Sequence, residues 1–138
     1  MAFPPIRWCV VCEDIRREEH GLVSLLGFYG VVPAAEIRVP DLARPIERLS
    51  FFMLAEGVID GLDHSYRFEV LDPSGQFLVK GTDSKTGAGN TGRPQKLTLA
   101  VTTMSPHLRQ VGVYRVVFRV DGQEHFVSTF TVALDSNR

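Results

Sequence analysis

The 138-residue chain has the composition of an ordinary folded protein, with 44% hydrophobic and 22% charged residues. Its 15 Lys and Arg residues against 16 Asp and Glu leave a formal charge of -1, which gives no basic footprint for nucleic acid. No apolar run reaches the length of about 18 residues that marks a membrane span, and the start of the chain lacks the pattern of a secretory signal. We therefore expect one cytoplasmic domain over residues 1–138, without nucleic-acid or membrane partners.

The first predicted strand covers about Ile6 to Asp14 and is apolar on both faces. It contains a Cys-x-x-Cys spacing, Cys9 to Cys12, which is compatible with a redox pair or half of a zinc site. On an extended strand, however, these two side chains point to opposite faces, so the sulfurs cannot meet. The four histidines are also too isolated in sequence to complete a zinc site. We predict two buried, inert cysteines and no metal.

A polar stretch from Ile15 to Gly21 predicts a hairpin tip that leads into a second strand, Leu22 to Tyr29. Its charged part, Arg16 to His20, is a candidate recognition loop, but its mixed signs favour a solvated hairpin end.

Three prolines then follow at short intervals. They exclude a long helix and predict a looping crossover with one helical turn near Asp41 to Arg44.

The middle of the chain predicts two strands and a turn. Leu49 to Glu56 is apolar on both faces, whereas Ser65 to Leu71 alternates between apolar and charged residues. Asp72 to Gly75 reads Asp-Pro-Ser-Gly, a turn sequence that returns the chain into Gln76 to Lys80. Between the two strands, Asp60-Gly61-Leu62-Asp63-His64 places two carboxylates beside an imidazole. This grouping suits acid-base chemistry or a hard cation, but we favour a simple turn.

The stretch from Gly81 to Pro94 is rich in glycine and matches Gly-x-Gly-x-x-Gly at Gly87 to Gly92. Dinucleotide sites use this motif between a strand and a helix, whose first amides hold the pyrophosphate. Here the glycines lead into Arg93-Pro94 and a strand from Lys96 to Thr103. We therefore predict a loop tip, with Lys85 and Arg93 as its only cations, and no nucleotide.

The last hairpin shows a conflict between its turn residues and its apolar pattern. Asp121-Gly122 is typical of a two-residue loop, which would pair Phe118 with His125 and mix core and solvent faces. A loop with an odd number of residues keeps Phe118 and Phe126 on one face. The sequence therefore predicts a three-residue loop with Gly122 as a left-handed bulge residue.

Taken together, eight short apolar runs separated by turn signals predict an all-β fold of about seven to nine mostly antiparallel strands. Several segments also resemble a family of short bacterial proteins of unknown function. They are Cys12 to Arg16, Gly21 to Tyr29, Asp72 to Gly75, Gly112 to Val116 and Val120 to Gly122. The resemblance implies a single immunoglobulin-like β-sandwich. Its Gly-x-Tyr-x-Val segment is similar to the tyrosine corner of such sandwiches.

No residue is predicted to be catalytic, to bind a cofactor or to hold a metal, and we expect no enzyme activity. The preferred hypothesis is an interaction or structural module that binds another protein, or itself, through a sheet face or edge. It is motivated by the strand from Leu49 to Leu54, which is apolar on both faces. The alternative is a small-ligand or carbohydrate binder, or a weak hydrolase, that uses loops near Asp63, His64 and His107 at one end of the sandwich.

Overall fold

The structure is a computed structural model, and it describes residues 3–58, 64–81, 83–86 and 93–135. These residues form ten strands and one short 3-10 turn, Glu19–Gly21. The strands are β1 (Ile6–Arg17), β2 (Val23–Val31), β3 (Glu36–Val39), β4 (Arg48–Val58), β5 (His64–Leu71), β6 (Phe77–Lys80), β7 (Ser84–Thr86), β8 (Pro94–Met104), β9 (Gly112–Val120) and β10 (Gln123–Leu134).

Two packed sheets make up the domain. The first has the order β2-β1-β4-β8, and the second has the order β3-β10-β9-β5-β6, with β7 also paired to β5. Every described pairing is antiparallel except β3 with β10. In immunoglobulin terms, β4 and β8 take the places of strands B and E, and β5, β9 and β10 those of C, F and G. The predicted immunoglobulin-like β-sandwich is confirmed.

The tyrosine corner confirms the same assignment. Tyr114 lies near the start of β9, is 1% exposed, and its hydroxyl donates to the Gln110 carbonyl oxygen at 2.8 Å. Its ring stacks on Phe130 of β10, with the two ring centroids 5.2 Å apart. The corner thus ties the chain before β9 to the core between the sheets.

The predicted face alternation is confirmed from Trp8 to Cys12, whereas a register shift between Ile6 and Trp8 places Ile6 against the main core and not on the face of Trp8. Cys9 and Val11 of β1 lie in the main core with Phe51 of β4, whereas Cys12 belongs to a separate cluster on the outer face of the first sheet. Both cysteines are buried and free. The odd spacing therefore separates the two thiols, as a pleated strand requires.

The last hairpin differs from the prediction. Val120 pairs with Gln123, so the loop has two residues, and Asp121 and Gly122 have φ values of 51° and 80°. Two positive φ angles define a type I′ turn, whose twist matches the flanking strands. The extra residue lies instead in β10, as a bulge between Glu124 and Phe126, and Phe126 still pairs with Phe118. The predicted face parity was correct, and the predicted three-residue loop was wrong.

Three further expectations need correction. Residues 41–44 form bends rather than a helical turn, because the Asp41 carboxylate accepts from the Ala43 amide and closes the chain locally. The crossover also contains a short strand, β3. Part of the Gly81 to Pro94 stretch forms β7, which pairs with β5. Both missed strands are three or four residues long and are defined by distant partners.

Candidate functional site

The β1-β2 hairpin folds across the outer face of the first sheet. Ser50 of β4 points to that face and donates to the Glu13 carbonyl oxygen at 3.1 Å, while Arg48 pairs with the Asp14 carboxylate at 2.8 Å. Ile15, Val23 and Leu25 of the hairpin pack against the cluster that contains Phe52. The second apolar face of β4, which motivated a face-binding hypothesis, is therefore covered by the chain's own hairpin.

The outer face of the second sheet is covered by ion pairs. Glu69 is 4% exposed and accepts from Arg119 at 2.8 Å, and Arg67 lies 3.8 Å from the same carboxylate. Asp83 pairs with Arg67 at 3.0 Å, and Val117 beneath this layer is fully buried. The arginines are neutralised by carboxylates, so the centre of this face is covered by paired charges, although Val113 and Val127 are exposed on the same face.

Three of the sheet edges carry features that block pairing with another chain. The β2 edge is interrupted by a bulge opposite Val11 and Cys12 and by positive φ angles at Gly27 and Gly30. The β3 edge is four residues long and bears the ion pair between Glu36 and Arg38. The third edge is formed by β6 and β7, which have only four and three residues. Short, bulged or charged edges of this kind resist strand addition.

The β8 edge has less of this protection, which is confined to Pro94 and Lys96 at the start of the strand. Its eleven residues pair with β4 without a register shift, and Lys96 is its only charged residue. Among the described residues, no strand pairs with its other side. This is the place that strand D occupies beside strand E in a constant-type immunoglobulin domain. A long edge strand without a bulge or a partner on its outer side is a ready template for an added strand.

The register shows which backbone groups of β8 face outward. The Ser105 amide donates to the Glu47 carbonyl oxygen, one position beyond the pair formed by Met104 and Arg48. Since the inward-facing groups of an antiparallel strand alternate, the odd-numbered residues of β8 bond to β4 and the even-numbered residues face away. The N–H and C=O groups of Thr98, Ala100 and Thr102 therefore point to the free edge.

A crevice of about 360 Å³ opens beside this edge, between β8 and residues Gly81 and Ser84 on the opposite sheet. Core side chains form its interior, and among the described residues that line it Arg17 is the only charged one. The lining comprises Arg17, Met53, Tyr66, Phe68, Gly81, Ser84, Thr98, Leu99, Ala100, Val101 and Phe118. The lining is thus mixed, with aliphatic and aromatic side chains inside and Arg17, Ser84 and Thr98 among its polar members.

The histidines named in the alternative hypothesis do not converge. His64 is buried beside the β9-β10 turn, where its Nδ1 lies 2.7 Å from the Asp121 carboxylate. His107 lies before β9, at the opposite end of the sandwich, and its Nε2 lies 2.8 Å from the Leu42 carbonyl oxygen. Asp60 and Asp63 lie outside the described residues. The two histidines therefore lie at opposite ends of the sandwich. They do not line one pocket, as the ligand-binding hypothesis requires.

Other candidate residues give no site. The Gly87 to Gly92 motif and the Lys85 side chain lie outside the described part of the chain. Arg16 and Arg17 belong to β1, so the hairpin tip is shorter than the loop predicted from Arg16 to His20. Across the described ranges, no group of three His, Cys, Asp or Glu side chains is arranged to hold a metal ion. No helix within those ranges has the length and apolarity needed to cross a bilayer.

Sequence reasoning missed both the β8 edge and the crevice. The strand itself was predicted, but its position at the end of a sheet depends on pairing between distant segments. One local signal was present, because Lys96 to Thr103 contains a single charge and no proline. Such a strand is unusual at an exposed edge, where charges and prolines normally prevent pairing.

The comparisons with family models and with curated proteins find no match for this chain. Among solved structures, the chain is similar to a Pseudomonas fluorescens alkylpurine DNA glycosylase, AlkC, bound to DNA with an abasic site analogue. The identity is 14%, the TM-score is 0.41, and the match covers 74% of this chain and 28% of the glycosylase. It is also similar to the CARDB domain of a Pyrococcus furiosus protein in complex with di-metal ions. There the identity is 14%, the TM-score is 0.36, and the coverage is 98% and 93%.

Proposed function

We propose that this domain is a non-enzymatic protein-interaction module that receives an extended segment of a partner protein at the free edge of β8. The observation that carries the proposal is the eleven-residue, unbulged edge with a single charge, beside a crevice lined in part by aliphatic and aromatic side chains. The partner's backbone would bond to the outward groups of Thr98, Ala100 and Thr102. Every second side chain of the added strand would then enter the crevice, as in β-strand addition.

The covering of the two outer sheet faces favours binding of the partner at an edge over binding at a face. One is covered by the β1-β2 hairpin, whose Ile15 packs over the outer cluster of the first sheet. The other carries the ion pairs of Glu69 and Arg119. An added strand needs no such face, because backbone hydrogen bonds supply affinity and the pockets for alternate side chains supply specificity.

A proline variant isolates the edge from the rest of the fold. Ala100→Pro removes one outward amide, and it leaves the bonds to β4 intact because those come from the odd-numbered residues. Ala100→Val is the matched control, since it changes the side chain and keeps the amide. Thr102→Pro blocks the same edge one pair further along, in case Ala100→Pro unfolds. Each variant is first checked for cooperative thermal unfolding.

The test is selection of nine-residue extended peptides from a displayed random library on the wild-type domain. The proposal predicts peptides that bind Ala100→Val as well as wild type and bind Ala100→Pro at least about tenfold more weakly. That loss corresponds to about 1.4 kcal/mol, the size of a hydrogen bond lost with its partner group left unpaired. Equal binding to all variants, or no enriched peptide, contradicts the proposal.

A further inference from the structure

Arg17 is a cation without a side-chain partner at the rim of the β8 crevice. It is exposed, and its guanidinium group forms no hydrogen bond or ion pair with any described residue. Of the nearby carboxylates, Asp14 pairs with Arg48, and Glu18 accepts from the Ser24 hydroxyl at 2.9 Å; neither forms an ion pair with Arg17. The guanidinium group is therefore available to a ligand, in contrast to Arg67 and Arg119.

The fold brings this cation to the edge from a distant part of the chain. Arg17 ends β1, beyond the segment that pairs with β4, and the hairpin carries it across the outer face of the first sheet. It lines the crevice together with Thr98 and Ala100, whose side chains lie on that outer face. A strand added to β8 would thus border the same crevice as this unpaired guanidinium group.

We infer that Arg17 selects a partner segment that carries one carboxylate side chain, near Ala100, between apolar residues that enter the crevice. The inference rests on the proposed strand addition and specifies the chemistry of its partner. Arginine matches carboxylates because its planar group donates two parallel hydrogen bonds. Tyr66 and Val101, which line the crevice and are only partly buried, provide the apolar surface for the flanking side chains.

Charge also favours a different protein over a second copy of this chain. Two copies joined antiparallel about Ala100 would form a symmetric pair, with the middle of each β8 edge at the two-fold axis. Because Arg17 lies beside Thr98 and Ala100, this arrangement brings two unpaired guanidinium groups together. Like charges so placed oppose association and favour an acidic partner.

The same peptide selection tests this inference when it is repeated on Arg17→Glu. Arg16→Glu is the matched control, because Arg16 is also exposed on β1 but does not line the crevice. We expect Asp or Glu at one fixed position among peptides selected on wild type and on Arg16→Glu, and Lys or Arg there on Arg17→Glu. An individual acidic peptide should lose at least about fivefold in affinity on Arg17→Glu, as expected for one exposed ion pair.

The outcomes separate this inference from the function on which it rests. Peptides that discriminate Ala100→Val from Ala100→Pro but show no acidic position, or keep it on Arg17→Glu, overturn the role of Arg17 and leave strand addition standing. Failure to select any edge-dependent peptide overturns both. Sedimentation that shows a dimer of the wild type, lost in Ala100→Pro, would identify a second copy as the partner and contradict the inference.

Discussion

Phe118 lies directly opposite Phe126 across the β9-β10 hairpin, although the two-residue turn between their strands would by itself place His125 there. The bulge at His125 corrects the register and keeps both aromatic side chains on the core side. It also directs the imidazole to the N-terminal segment, where its Nε2 lies 2.8 Å from the Pro4 carbonyl oxygen. One extra residue thus maintains the core and anchors the start of the chain.

The turn itself gives the first prediction. Gly122 has φ 80°, and a Cβ atom there would meet nothing within 4 Å, so only backbone strain opposes a side chain. Gly122→Ala should lower the free energy of unfolding by about 1–2 kcal/mol, the cost of left-handed backbone for an ordinary residue. Gly122→Asn should cost less, because asparagine tolerates this region. Urea denaturation measures both, and equal losses would argue against a type I′ turn.

The tyrosine corner gives the second prediction. Tyr114→Phe removes the hydroxyl that bonds to Gln110 and retains the ring stacked on Phe130, so it should cost about 1 kcal/mol of stability. Tyr66→Phe is the control, because the Tyr66 hydroxyl makes no hydrogen bond with a described residue and its loss should cost less than about 0.5 kcal/mol. Chemical denaturation compares the two variants. A larger loss for Tyr66→Phe would contradict the assigned corner.

The cysteines give the third prediction. Burial raises the pKa of Cys9 to about 12, and burial with the nearby Asp14 charge raises that of Cys12 to about 11. The reactive thiolate is therefore scarce at pH 8, and neither thiol should react with a labelling reagent until the protein unfolds. Ala100→Cys, at an exposed position on β8, provides a reactive control. Rapid labelling of native wild type would show that these thiols are accessible.

The turn at Asp72 gives a pH-dependent prediction. Hydrogen bonds from the Ser74 hydroxyl and from the Gln76 and Ser74 amides hold the pKa of Asp72 below its usual value. A depressed pKa stabilises the fold above the unfolded value of about 3.9, and this contribution is lost as the pH falls through the folded pKa. Asp72→Asn should therefore lower Tm at pH 6 and have a smaller effect at pH 3. A difference in Tm that does not depend on pH would refute this role.

Local periodicity predicted much of the fold. The alternation in β5 and β9, the opposite faces of Cys9 and Cys12, and the turn at Asp72 all depend on neighbouring residues, which the sequence displays directly. The four-residue strand β3 was missed because its only signal is its pairing with β10. The loop length of the last hairpin was wrong because a bulge at His125 and a longer turn produce the same face pattern.

The candidate site was beyond sequence reasoning for a related reason. Arg17 and Ala100 are far apart in the chain and meet only because the hairpin crosses the outer face of the first sheet. The hydrogen bond from Ser50 to Glu13 that accompanies this crossing has no periodic signature. A free edge, moreover, is a property of the order of strands in a sheet and not of any one segment.

Residue-resolved amide exchange on β8, with and without a selected peptide, is the most direct test of the free edge as the binding site. In the free domain, the amides of Thr98, Ala100 and Thr102 should exchange rapidly, while those of Leu99 and Val101, which bond to β4, stay protected. Bound peptide should protect the three even-numbered amides. Protection of these amides already in the free domain, or no change on peptide binding, would contradict the account.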